Sequence, residues 1–164
     1  YDIGLGIPAE PLFRSRASAM TQNPNLKTIV ENPYNSLIVN IDQQHLEMVV
    51  QKLCTYAAYS SRQGSEGLVR AKYEYHHGEL TITIEDNGQG LSPEARAKLF
   101  DRFSRNENEG DQQSTGLDLP IVKELVEQMG GTIELQSESG KGTTFYISIP
   151  CEMISLEKKS EIII

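Results

Sequence analysis

The sequence predicts an α+β fold, a two-layer α/β sandwich in which a mixed, mostly antiparallel sheet packs on about three helices. Three observations carry that expectation. Apolar residues recur at helical spacing over 46–58, two alternating runs flank His76-His77-Gly78 as a hairpin, and the strands TIELQ and TTFYISIP are joined by Ser139-Gly140-Lys141-Gly142. Strands that pair as hairpins with helices between them bury one face of the sheet against those helices.

Residues 1–25 give weak signals, with Pro8 placed to start a short helix through PLFRSRASAM that ends before Asn23-Pro24. The apolar runs 26–30 and 37–41 are separated by Asn32-Pro33-Tyr34-Asn35, a turn composition, and are expected to form a strand pair. Asp42 stands at an N-cap position ahead of Leu46, Val49, Val50, Leu53, Cys54, Ala57 and Ala58, which fall on one helical face. After the polar break SSRQGSEG, VRAKYEY and ELTITIED form the first hairpin, with Leu80, Ile82 and Ile84 sharing a face. The strand ends on Asp86, and Ser92-Pro93-Glu94 starts a short helix through Leu99 and Phe103. Residues 104–114, SRNENEGDQQS, hold no large apolar side chain and read as a mobile loop. A second strong helix sets Leu117, Ile121, Val122, Leu125, Val126 and Met129 on one face, with Gly130-Gly131 as its stop.

Composition bounds the function. A chain of 164 residues, 38% apolar and 23% charged, describes one globular domain that buries roughly 70% of its unfolded surface and needs no staple. Cys54 and Cys151, with no CxxC and no Cys/His cluster, are therefore not a framework or a metal site and fit a reducing compartment. A net charge of -8 excludes a grip on nucleic acid or an anionic membrane through net charge, yet leaves room for a local phosphate site. No stretch reaches the roughly 20 apolar residues of a membrane span. The opening Tyr1 and the closing Ile162-Ile163-Ile164 read as ends cut from something longer.

Two places are suited to chemistry. Asp86-Asn87-Gly88-Gln89-Gly90 puts a carboxylate at a strand end, where it is placed to accept from a base's amine, or else to satisfy the amides of an ordinary strand-to-helix turn. Ser114-Thr115-Gly116-Leu117-Asp118-Leu119-Pro120 leads into a helix N-terminus, either an anion site or a helix capped by Asp118. His76 and His77 belong to a turn, and His45 to the first turn of the long helix.

In this order the motifs resemble the catalytic and ATP-binding domain of a sensor histidine kinase over about 26–150, with 1–25 leading from a dimerisation domain and 151–164 as tail or linker. DNGQGL at 86–91 matches the family's first glycine box, implying that Asp86 recognises adenine, that Gly88 and Gly90 shape the pocket, and that Leu91 joins them. LFDRF at 99–103 matches the aromatic box, so Phe100 and Phe103 flank a lid spanning 104–114. STGLDLPIVKELVEQMGG matches the second glycine box, which implies a lid hinge at Thr115 and Gly116 with Leu117 beside the nucleotide. SESGKGTTFYISIP matches the closing turn and strand, with Thr143 in the adenine-side network.

The resemblance implies ATP and Mg²⁺ as cofactors and transfer of the γ-phosphoryl group to a histidine on a separate helical dimerisation domain. It implies a receiver domain as the next partner, no nucleic acid, and a cytoplasmic domain without direct membrane contact in a membrane-anchored parent. The chain departs from the family pattern at Lys52, Tyr56 and Tyr59, where the phosphate-facing side carries two asparagines and a basic residue. Lys52 reaches a phosphate as a point charge or stays solvated, and it argues against the gyrase and chaperone branch, which places a catalytic Glu there. Ser114 and Asp118 replace lid glycines, and a carboxylate at 118 repels phosphate by about 1–2 kcal/mol. The alternative is thus a degenerate signalling module in which Asp118 and Tyr56 leave MgATP bound weakly or not at all, and which acts by docking.

Overall fold

The computed structural model describes residues 2–5, 26–31, 33–61, 66–99 and 119–158. In chain order the elements are β1 (Asp2–Leu5), β2 (Lys27–Glu31), β3 (Tyr34–Asn40), α1 (Gln43–Ser60), β4 (Leu68–His76), β5 (Glu79–Asp86), α2 (Pro93–Lys98), α3 (Leu119–Gln128), β6 (Thr132–Glu138), β7 (Gly142–Pro150) and β8 (Glu152–Lys158). The fold is α+β, with a five-stranded mixed sheet in the order β2-β4-β5-β7-β6 and a three-stranded sheet in the order β1-β3-β8. Among the described strands, only the β2–β4 pairing is parallel.

Local signals explain the long helix and the hairpins. Asp42 Oδ1 accepts the His45 N–H at 3.0 Å and caps α1. His77 and Gly78 both adopt positive φ, 51° and 80°, the geometry whose twist suits a two-residue hairpin. Helix α3 ends in paired bonds, Gly130 N–H to Glu127 and Gly131 N–H to Val126, both 2.9 Å, that satisfy its last carbonyls.

The core lies between α1 and the five-stranded sheet, with α3 beside α1. Leu46, Val49, Leu53 and Ala57 of α1 are buried against Val69, Ile82, Ile84, Phe145 and Ile147. Each fully buried Val, Leu, Ile or Phe among them contributes about 1.5–3 kcal/mol.

Several expectations are corrected. The runs at 26–30 and 37–41 are both strands, but they do not pair with each other: β2 joins β4 in one sheet and β3 lies between β1 and β8 in the other. Ile121 is 37% exposed, whereas Leu119, Val122 and Val126 of α3 are buried and Leu125 and Met129 pack against the same core. Residues 152–158 of the expected tail form β8, which brings Leu156 onto the core. Helix α2 ends at Lys98 with Leu99 as its C-cap. The helix expected after Pro8, Phe103 and the loop 104–114 lie outside the described residues.

Candidate functional site

The site forms where three elements converge: the C-terminal end of β5, the start of β7 and the last turns of α1. Asp86, the last residue of β5, lies directly across the ladder from Thr143. Because side chains alternate along a strand, Thr143 and Phe145 share the face of β7 that looks toward α1.

The loop leaving β5 is pinned from several sides. A Cβ on Gly88 would run into the Ser60 carbonyl at the end of α1, and one on Gly90, where φ is +70°, would run into the Glu138 carbonyl. These glycines permit close backbone contact inside the fold. Asn87 fixes the loop further: its Nδ2 donates to the Glu66 carbonyl at 2.8 Å and its Oδ1 accepts the Leu68 N–H at 2.9 Å.

Asp86 is 3% exposed. Its Oδ1 accepts the Gly88 N–H at 2.8 Å, whereas its Oδ2 is buried with no hydrogen-bond partner among the described residues. Burial pushes the carboxyl up to about 6, against the downward pull of the Gly88 N–H, the Ser60 hydroxyl and the Thr143 N–H. An unpaired buried acceptor costs on the order of 1–3 kcal/mol, so its retention marks a place for a donor from outside the fold.

Tyr56 reaches the same spot from α1. Its ring meets Phe145 edge-on, with centroids 5.6 Å apart and planes at 84°. Burial, helped by the Asp86 charge and opposed by the Thr143 hydroxyl, pushes its phenol up to about 12. Lys52 lies one turn earlier on α1 and is half-buried.

A buried serine completes the site. Ser137 Oγ lies 2.7 Å from the Leu91 N–H, 3.1 Å from the Gly142 carbonyl and 2.9 Å from Thr143 Oγ1. The structure thus brings together Asp86, Gly88, Gly90, Leu91, Thr143 and Tyr56, while Phe100, Phe103, Ser114, Thr115, Gly116, Leu117 and Asp118 lie outside the described residues. Sequence reasoning missed Ser137. The signal was its register, since Ile133, Leu135 and Ser137 alternate onto one face of β6 and the serine is the buried one.

The family described as histidine kinase-, DNA gyrase B-, and HSP90-like ATPase matches residues 41–153. Sensor protein EvgS of Escherichia coli (strain K12) is 35% identical over 130 residues, which is 76% of this chain and 11% of that protein. The chain therefore spans about a tenth of the length of that curated relative. The mycobacterial sensor histidine kinase MprB shares the fold with a TM-score of 0.68 at 21% identity, over 92% of this chain and 98% of that one. Full-length ShkA in complex with AMPPNP does so with a TM-score of 0.64 at 22% identity, over 96% of this chain and 32% of that one.

Proposed function

The chain belongs to the histidine kinase-, DNA gyrase B-, and HSP90-like ATPase family, and from that premise we propose that it holds ATP for a sensor kinase, with the adenine amine on Asp86. The reading includes transfer of the γ-phosphoryl group to a histidine on a separate helical domain of the same parent, and onward to a receiver domain. One observation carries it: Asp86 Oδ2 is a buried carboxylate oxygen without a partner at the end of a central strand. An exocyclic amine supplies the missing proton, in surroundings where a charge-assisted hydrogen bond is stronger than in water.

Bound ATP supplies the transferable phosphoryl group, and the chain's described residues supply positioning. Asp86 orients the base. Gly88 and Gly90 let the loop close onto α1 and β6, and Ser137 holds Leu91 and Thr143 in register. That preorganisation lowers the ordering cost of binding. ShkA, similar in fold, is known in complex with AMPPNP.

Magnesium fits the α1 side of the site poorly. Mg²⁺ prefers compact oxygen ligands in octahedral geometry, and position 56 presents a phenol that burial keeps neutral and that packs against Phe145. That observation favours a second reading, in which the domain keeps the base pocket, binds nucleotide with little help from Mg²⁺ and acts by docking to its helical partner or a receiver.

Thermal shift with ADP, with ATP and with ATP plus Mg²⁺ separates the two, because a ligand of the native state raises its apparent stability. A shift with ATP that grows with Mg²⁺ supports phosphoryl transfer. Equal shifts with and without Mg²⁺ support a docking module that keeps the base pocket, and no shift with any nucleotide contradicts phosphoryl transfer and supports a docking module that binds no nucleotide. Tyr56→Asn is expected to make ATP binding Mg²⁺-dependent, checked in the same assay.

A further inference from the structure

The acceptor assigned to the base is itself covered. Asp86 is 3% exposed, and its Oδ2 is a buried atom. A ligand arriving from solution forms no hydrogen bond with an oxygen it cannot touch, so a group beside Asp86 has to move before a base can settle there.

Most of the described neighbours of Asp86 are held in place. Thr143 is buried, pairs with Asp86 across the β5–β7 ladder and lies 2.9 Å from Ser137 Oγ. Phe145 is wholly inside the core. The backbone at Gly88 stands against the Ser60 carbonyl, and Asn87 ties the same loop to Glu66 and Leu68. Tyr56 is different: α1 is anchored by the buried Leu53 and Ala57, but the tyrosine side chain between them is only half-buried. Its ring meets Phe145 edge-on at 5.6 Å, and its hydroxyl shares a hydrogen bond with the side chain of Thr143, the residue opposite Asp86. An aromatic side chain on a helix has two χ1 wells open to it, so this ring has a second position that leaves α1 intact.

We propose that Tyr56 is a gate on the base pocket: seated on Phe145 its ring closes the approach to Asp86, and it swings off Phe145 when a base binds. The proposal rests on the base-binding reading above and adds the regulation of that site. The closed arrangement has an edge-on aromatic contact that the open one lacks, so the closed ring prevails in the free chain. Apparent affinity then falls in proportion to the fraction of chains that are open. Binding also turns a phenol outward from the core, so occupancy of the pocket changes what α1 presents to a partner.

Calorimetric titration of ADP into the 164-residue chain, with a chelator present, tests the gate. Tyr56→Ala removes the ring and is expected to bind ADP about tenfold more tightly than the wild type. Asp42→Ala, which loosens the same helix at its far end, is expected to bind as the wild type does. A gain below about threefold in folded Tyr56→Ala, or an equal gain in Asp42→Ala, overturns the proposal and leaves base binding standing. Nuclear magnetic resonance of the wild type supplies a readout that needs no variant: cross-relaxation between the Tyr56 and Phe145 rings is expected in the free chain and is expected to vanish at saturating ADP. Its persistence in the complex overturns the gate, and this measurement decides should Tyr56→Ala not fold. A wild type that binds no ADP overturns the base reading and the proposal with it.

Discussion

At Asp86 the chain holds an ionisable group in surroundings that oppose its charge, and burial raises its pKa to about 6. The unfolded value is near 3.9, so this group's contribution to stability is complete below about pH 4 and is lost as pH rises through about 6. Asp86→Asn is therefore expected to be more stable than the wild type at pH 8, by an amount on the order of 2 kcal/mol, with the gain vanishing toward pH 4. Urea denaturation at both pH values measures it, and a variant with no gain at pH 8 would contradict the burial argument. The same substitution replaces the waiting acceptor with an amide donor and is expected to abolish adenine-nucleotide binding, so stability and function pull apart at one residue. Asp86 was legible in the sequence because it ends an alternating run and is followed at once by glycines. The identity of Tyr56 was equally legible, but not its direction, since helical spacing does not say that the ring turns onto Phe145.

Among the elements, α1 is a beam with chemistry at one end and a cap at the other. Its 18 residues span about 27 Å. Asp42→Ala removes the cap and is expected to cost about 1 kcal/mol in chemical denaturation while leaving nucleotide affinity unchanged. Gly88→Ala forces a methyl group onto the Ser60 carbonyl, where backbone and not a flexible side chain must give way. It is expected to cost roughly 2–4 kcal/mol and to weaken nucleotide binding as well. Hairpins and capped helices could be read locally because each is specified by adjacent residues: Asp42 before its helix, His77-Gly78 between its strands. The pairing of β2 could not. Its parallel partner β4 lies beyond β3 and the whole of α1, and no turn signal spans that distance. Ile121 was assigned inward by the same spacing that placed Val122, and the start of α3 at Leu119 settles which side faces the core.

On the scale of the whole molecule, the candidate site sits where a central strand of the five-stranded sheet ends beside α1, and β3 of the smaller sheet adds Leu37 and Val39 to the same core. β8 contributes Leu156 and covers one edge of β3, whose Leu37 and Val39 are fully buried. Truncation after Pro150 is expected to lower the urea midpoint, because it strips β3 of a partner and exposes a strand edge; an unchanged midpoint would show that β8 adds no stability. The net charge of -8 leaves the polarity of the candidate site to its own buried groups, Asp86, Ser137 and Thr143. Among the described residues no helix is long and apolar enough to cross a membrane.

Base binding by this domain depends first on Asp86 as the acceptor. Titration of ADP into the wild-type chain and into Asp86→Asn, with a chelator present to remove divalent metal, measures this directly. Saturable binding to a single site in the wild type and none in the variant is the predicted result. Equal binding by both proteins, or none by the wild type, would contradict it.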